Sequence, residues 1–394
     1  MTSTKFRILL LLVAASSIFN FQFPISNSAC AQDSCRLRLE IENHHFFRNN
    51  EYGSNRMDGY TLPGFYMRPK LVWQVEPRLR LSVGAHWLNY WGAHGYPASV
   101  TYVSALPEES DDMRPVHILP WVQARVDFLE GVSLILGSVE NNEGHQMPRP
   151  LYNPELRYAA DPEAGAQLLV ERPWISADLW ANWNEFIFSQ SRQQERFYTG
   201  ASVKVRYSKG PWTFYLPLYG LATHTGGEGL KVRLRTNNKM NFGAGLGASY
   251  NDGPFGADLE MLVLGFSQQR DSTIPFESGH GFSPTLRVRY GDAGLLVNYW
   301  HGTGYVPLLG HPIYSNTSLN HTTLSVYDNR ALTVGVDYTW RHFKACTVVL
   351  EADLVNYFPY TIHWKDWVDE DRGSKLMVGF GVHVKLNPTL SLLR

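Results

Sequence analysis

Polar and apolar residues alternate along most of this chain with a period of two. Arg36, Arg38, Glu40 and Glu42 interleave with Leu37, Leu39 and Ile41. Arg68, Lys70 and Gln74 interleave with Leu71, Trp73 and Val75, and Arg78, Arg80 and Ser82 with Leu79, Leu81 and Val83. The same alternation sets Gln123, Arg125 and Asp127 against Val122, Ala124 and Val126. It recurs around Asp178, around Lys204 and Arg206, around Asp258 and Glu260, around Arg287 and Arg289, and around Glu351 and Asp353. Successive side chains of a strand point to opposite faces, so the pattern predicts strands with one apolar and one polar face. The predicted spans are 35–47, 65–76, 78–90, 115–128, 131–139, 165–171, 174–188, 195–207, 212–223, 239–250, 255–266, 280–290, 294–302, 329–340, 346–357 and 374–386. That is about sixteen strands; if 165–188 is one long strand, an even count requires fourteen.

A soluble sandwich also alternates, so three further features decide. Many runs reach roughly 9–12 residues, the length a tilted strand needs to cross a bilayer's hydrocarbon layer; globular strands average about 5–6. Connections alternate between tight and long. The tight ones are Glu76-Pro77, Leu129-Glu130-Gly131, Glu171-Arg172-Pro173, Ser208 to Pro211, Asn251 to Pro254, Gly291 to Gly294 and Arg341 to Lys344. Long polar connections lie between them, and those at 140–164 and 303–327 are candidates to fold inward. Aromatic residues gather at segment ends, among them Trp73, Trp87, Tyr90, Trp174, Trp212, Tyr290, Trp300, Trp340 and Tyr357; amphipathic rings favour membrane interfaces.

The start of the chain adds an address. Lys5 and Arg7 precede a short apolar run from Ile8 to Ala15, and Ala29-Cys30-Ala31 offers a cleavage site. This predicts a signal peptide over 1–31 and one domain over 32–394. With it, the alternating strands, asymmetric turns and aromatic rims resemble a Gram-negative outer-membrane β-barrel protein of porin type. The resemblance implies an all-β fold: a closed antiparallel transmembrane barrel with short periplasmic turns and long extracellular loops, integral to the bacterial outer membrane. It implies a channel for passive diffusion of small polar solutes, and no enzyme. The alternative is a non-conducting barrel acting in adhesion, assembly or secretion through its extracellular loops. One departure is the end of the chain, Pro388 to Arg394, where such barrels commonly carry a terminal aromatic residue.

Composition fits this reading. Of 394 residues 44% are hydrophobic and 13% aromatic, only 18% are charged, and the formal net charge is −1. Disordered chains have fewer aromatics, and nucleic-acid binders carry a basic excess. Charge facing lipid is costly, so the polar face belongs inside. The pore-lining candidates are Arg68, Lys70, Arg78, Arg80, Arg125, Asp178, Lys204, Arg206, Asp258, Glu260, Arg287, Arg289, Glu351 and Asp353. Their segregation into basic and acidic walls suits either solute orientation or cross-strand salt bridges. Inner aromatics such as Trp121, Trp180, Tyr215 and Tyr219 suit sugar stacking, or simply packing.

Dedicated chemistry is sparse. His224-Thr225-Gly226-Gly227 is similar to the His-x-Ser-Asn-Gly motif of outer-membrane phospholipase A, but no Ser lies between 209 and 248. The dispersed His residues match no metal motif, and no cofactor is expected. Expected partners are outer-membrane lipid and small polar solutes, without nucleic acid; the apolar outer face suits a monomer or a trimer alike. Cys35 and Cys346 open the first and the penultimate strand at one end, roughly 10 Å apart by strand spacing. A disulfide needs Cα atoms within about 7 Å, so bridging requires the tail before Leu37 to fold across; otherwise the two are separate thiols.

Overall fold

A computed structural model of the protein describes residues 36–54, 56–57, 59–91, 116–141, 144–187, 194–226, 236–269, 274–318, 324–343, 345–364 and 369–393. The predicted signal segment and Cys35, with the question of its pairing, lie outside them. Thirteen strands follow one another as antiparallel neighbours: β1 (Leu37–Glu51), β2 (Tyr60–Glu76), β3 (Leu79–Tyr90), β4 (Val116–Leu129), β5 (Val132–Ser138), β6 (Ala164–Arg172), β7 (Ile175–Glu185), β8 (Glu195–Lys209), β9 (Trp212–Gly226), β10 (Asn237–Asp252), β11 (Phe255–Gln269), β12 (Ser278–Tyr290) and β13 (Ala293–Thr303). After the short loop strand β14 (Leu324–Ser325) come β15 (Asn329–Phe343) and β16 (Cys346–Tyr357). Loop strands β17 (Tyr360–Trp364) and β18 (Glu370–Arg372) then lead to β19 (Lys375–Leu386).

β19 pairs with β16 on one side and with β1 on the other, from Asn43↔Leu386 to Glu51↔Val378, so the sheet closes. Beyond Asn387 and Pro388, β20 (Thr389–Leu393) continues the same strand along the first residues of β1. The barrel therefore has sixteen strands. The region 165–188 divides at Pro173-Trp174 into β6 and β7, which settles the count. The last strand runs seven residues past its predicted end at 386, to Leu393, and closes on leucines instead of a terminal aromatic.

Alternation sorts the two faces. Leu71, Val83, Val122, Leu218, Leu246, Val263 and Leu350 are exposed on the outer wall, where lipid replaces water. Trp73, Trp174, Trp183, Trp212, Tyr290 and Trp340 are exposed near the strand ends, as interfacial girdles require. Three predicted girdle residues instead turn inward: Tyr90, Trp300 and Tyr357 are buried. Each packs on a loop inside the barrel. Tyr90 Oη donates to the Ala159 carbonyl (2.7 Å) and Tyr357 Oη to that of Ile313 (3.2 Å). Trp300 meets Tyr305 and Tyr314 edge-on, 5.1 Å between centroids, and its ring fills the space over Gly281 and Gly302, where a Cβ would collide with it.

Those loops are the two singled out in the sequence. The connection between β5 and β6 enters the lumen over Gly144 to Ala160, with one helical turn at Leu156–Ala159. The connection after β13 enters over Tyr305 to Ser318. Met147, Leu151, Tyr152 and Leu156 of the first cluster with Tyr305, Leu308, Leu309, Ile313 and Tyr314 of the second, and with Leu262, Leu264 and Phe266 of the inner wall. The loops also bond to each other: Asn153 N donates to the Leu309 carbonyl (2.7 Å) and His311 N to that of Arg149 (2.9 Å).

Candidate functional site

The candidate site is the lumen, and its upper boundary is this two-loop plug. The first loop turns at His145 and Gln146, both in the left-handed region (φ 55° and 56°). Such residues cost about 1–2 kcal/mol each outside glycine, so the surroundings must hold them there. His145 is fully buried and lies flat on Trp180, 3.7 Å between ring centroids. Its Nδ1 is 2.8 Å from Asp178 Oδ2 and its Nε2 2.6 Å from Glu163 Oε2. Only the doubly protonated ring can donate to both carboxylates. Tyr198 Oη and Gln167 Nε2 donate to the same two acids, at 2.5 and 2.8 Å.

Burial alone would lower the His145 pKa, but Glu163 and Asp178 override it and lift it to about 9. A folded-state pKa raised above the ordinary value of about 6.5 stabilises fully below that pH. The stabilisation fades as pH rises through about 9, and amounts to something on the order of 3 kcal/mol. The plug should therefore loosen in alkali. Current noise across a reconstituted bilayer is expected to rise between about pH 6.5 and 9.5 in the native barrel. In a His145→Gln variant that step should be missing; an identical step would place the titration elsewhere.

Arg48 organises the opposite wall. From the inner face of β1 its Nη1 reaches Glu351 Oε1 (2.6 Å), its Nη2 reaches Asp353 Oδ1 (2.5 Å), and its Nε lies 3.6 Å from Glu155 Oε1 of the plug. Glu155 also accepts from Asn50 Nδ2 (3.1 Å) and Tyr60 Oη (2.6 Å). His383 Nε2 stands 3.2 Å from Glu351 Oε1, and its Nδ1 3.0 Å from His44 Nε2. Plug and wall thus share one buried polar network.

Below the plug the lumen is hollow. A cavity of about 740 Å³ lies against the β1–β4 wall, one of about 520 Å³ against β10–β15, and one of about 240 Å³ directly under the plug. The smallest shares His44, Arg157, Tyr158 and Lys385 with the first and Arg287 and Leu296 with the second, so the three adjoin.

The predicted pore residues divide according to what they bind. Arg68 and Lys70 point inward and pair with Glu42, Arg68 at 2.9 Å. Arg80 and Arg125 meet at Glu140 (3.3 and 3.0 Å). Lys204 lies 3.8 Å from the buried Glu260, and Arg287 3.4 Å from Asp258. Arg206 bonds Glu171 (2.5 Å) at the periplasmic mouth, and Arg289 borders the 520 Å³ cavity there. Arg78 is displaced from the wall: it falls in the exposed β2–β3 turn, because β3 begins only at Leu79. Asp178, Glu351 and Asp353 are committed to His145 and Arg48. The inner aromatics are committed too. Trp121 lies under Arg68 (4.1 Å), Trp180 under His145, and Tyr215 and Tyr219 donate to Asp258 (2.8 Å) and Glu260 (3.4 Å); all four rings are buried, which leaves little face open for a sugar.

A family model for lipid A 3'-O-deacylase-type proteins matches residues 29–394. The chain belongs to that family. Like the barrel's apolar outer wall, membership makes it an integral outer-membrane protein. No curated protein sequence matches. Among solved structures it is similar to OccK1 (OpdK) of Pseudomonas aeruginosa, with 11% identity over 90% of this chain and 98% of that one and a TM-score of 0.47. It is also similar to OccAB3 of Acinetobacter baumannii (9% identity, 90% and 99%, TM-score 0.49) and to an anion-selective porin from Comamonas acidovorans (11%, 90% and 99%, 0.47). These are similarities of architecture.

A deacylase-type family directs attention to His224. It sits at the extracellular end of β9 with Nδ1 2.7 Å from Asn238 Oδ1 and its ring stacked on Phe197 (4.9 Å). A Cβ added at Gly226 would lie 2.8 Å from its Nε2. An oriented base is present, and the position facing it is a glycine without a hydroxyl. The residues that the sequence reading missed are those of the plug and its hub: Arg48, His145, Glu155 and Glu163. Arg48 lies just past the predicted end of the first strand at 47, and the other three fall in 140–164, which reads as a long polar connection.

Proposed function

We propose that this family member is an outer-membrane channel for small polar solutes whose extracellular half is closed at rest by the two-loop plug. The observation that carries the reading is the chain of adjoining charged cavities from the periplasmic mouth to the underside of the plug. A sixteen-stranded barrel is wide enough to enclose water, and side chains alone do not fill this one. Planar-bilayer recording tests it. The native barrel should give small, brief steps, and silence from correctly folded protein would sink the reading. Arg80, part-exposed beside Glu140, should set selectivity: Arg80→Glu should shift the reversal potential towards cations, while Arg78→Glu in the turn should leave it unchanged.

A second reading, hydrolysis of an acyl ester of an outer-leaflet lipid, draws on the family name and on one feature of the outer wall. Ser278 and His280 project to the same side of β12 into a pocket of about 410 Å³ walled by Phe242, Phe276 and Tyr327, and Ser267 stands directly across from Ser278. Absence of fatty-acid release from vesicles containing lipid A would remove it.

A further inference from the structure

We infer that the 240 Å³ chamber beneath the plug is a binding site for a small anion bearing a carboxylate or phosphate group, loaded from the periplasmic side. The inference rests on the lumen being a solute route. Three carboxylates border the chamber, Glu155, Glu351 and Asp353, and all three lie within 4 Å of Arg48. Two further guanidiniums face the same space from the plug loop, Arg149 and Arg157. Among the described residues neither has a carboxylate within ion-pairing distance, and the Arg157 Nε donates only to the Pro154 carbonyl (3.1 Å).

A guanidinium cannot shed its charge, and these two are partly buried with their charge turned to the chamber. Arg149 and Arg157 therefore offer forked donors that planar carboxylates and phosphates match. The Arg149 field is visible on a neighbour: burial, and after it Arg149, push the pKa of His311 down to about 3, so that ring adds a neutral hydrogen-bonding edge. The lining also includes the apolar side chains of Leu296, Ile313 and Val349, which suits the carbon chain of a short acid. Access follows from the plug. Above the chamber Leu151, Leu309 and Tyr314 are fully buried; below, it adjoins the 740 Å³ cavity at Arg157 and Lys385.

The test is calorimetric titration of the full-length, detergent-refolded barrel with succinate, with inorganic phosphate and with choline as a cation control. Saturable binding of one or both anions and none of choline is expected; the preferred anion identifies the source. Arg149→Gln and Arg157→Gln should each weaken binding about tenfold or more, the loss expected for one charge-assisted hydrogen bond, and Arg157→Lys should recover part of it. Heat-modifiable gel mobility confirms that each variant is a closed barrel. No saturable binding to folded protein, or binding by both Gln variants as tight as by the native barrel, overturns the inference. Steady current without anion binding would overturn this site and leave the channel standing; anion binding without current would do the reverse.

Discussion

Excising the plug should convert a nearly silent barrel into one with large, steady conductance steps. The variant replaces residues 146–157 and 306–315 with short Gly-Ser linkers and leaves every wall strand intact. The wall holds itself together: each of its sixteen strands is laddered to two neighbours, and the ring is closed by β1 against β19 and β20. The plug, by contrast, joins the wall through side chains. Asn241 Nδ2 donates to the Val306 carbonyl (2.9 Å), Tyr314 Oη to Asn298 Oδ1 (3.1 Å), and Asn329 Nδ2 to the Ser315 carbonyl (3.0 Å). Removing it leaves Leu262, Leu264 and Phe266 facing water. That lowers stability without opening the ladder, because dispersed apolar side chains on an inner wall cost only their hydration. Single-channel recording reads the outcome. Unchanged conductance would mean that the loops do not control the passage, and the channel reading would lose its closed state.

The wall was legible because one physical rule, charge away from lipid, imposes a period of two on every strand. The plug was not, because its contacts join residues far apart in the chain that only closure of the barrel brings together. Its traces were nevertheless in the sequence. On β11, Leu262, Leu264 and Phe266 share a face with Asp258 and Glu260, so Met261 to Phe266 is apolar on both faces, as in a strand buried on both sides. The lower half of that strand lines water and its upper half lines the plug. A reading that assigns one character to a whole face misses the change. Arg48 was lost for a smaller reason: the first strand was predicted to end at 47, whereas β1 runs to Glu51 and then turns into the β1–β2 loop. The His145 clamp could not have been read at all. Its ring, Asp178 and Glu163 come from a loop turn, a strand and a loop end, and neither their spacing nor their types distinguish them from solvated polar residues.

Arg48→Met should be the most destabilising single change in the lumen. The side chain is 5% exposed, as is that of Asp353, and the guanidinium engages Glu351, Asp353 and Glu155 together. Methionine keeps much of the volume and removes the charge, leaving these carboxylates facing one another in a poorly hydrated space. Breaking a buried pair from one side typically costs about 3–5 kcal/mol. Arg125 supplies the control. It also engages two acids, Asp127 and Glu140, but near the periplasmic mouth, where its side chain is 23% exposed. Its replacement by Met should cost only about 1 kcal/mol, because water screens what remains. Urea titration of the barrel, followed by loss of heat-modifiable gel mobility, reads both variants. A double variant, Arg48→Met with Asp353→Leu, should recover part of the loss, since it removes a stranded charge instead of creating one. Equal midpoints for Arg48→Met and Arg125→Met would show that Arg48 is as wet as Arg125, and that the network tying the plug to β1 and β16 contributes no more than a surface ion pair.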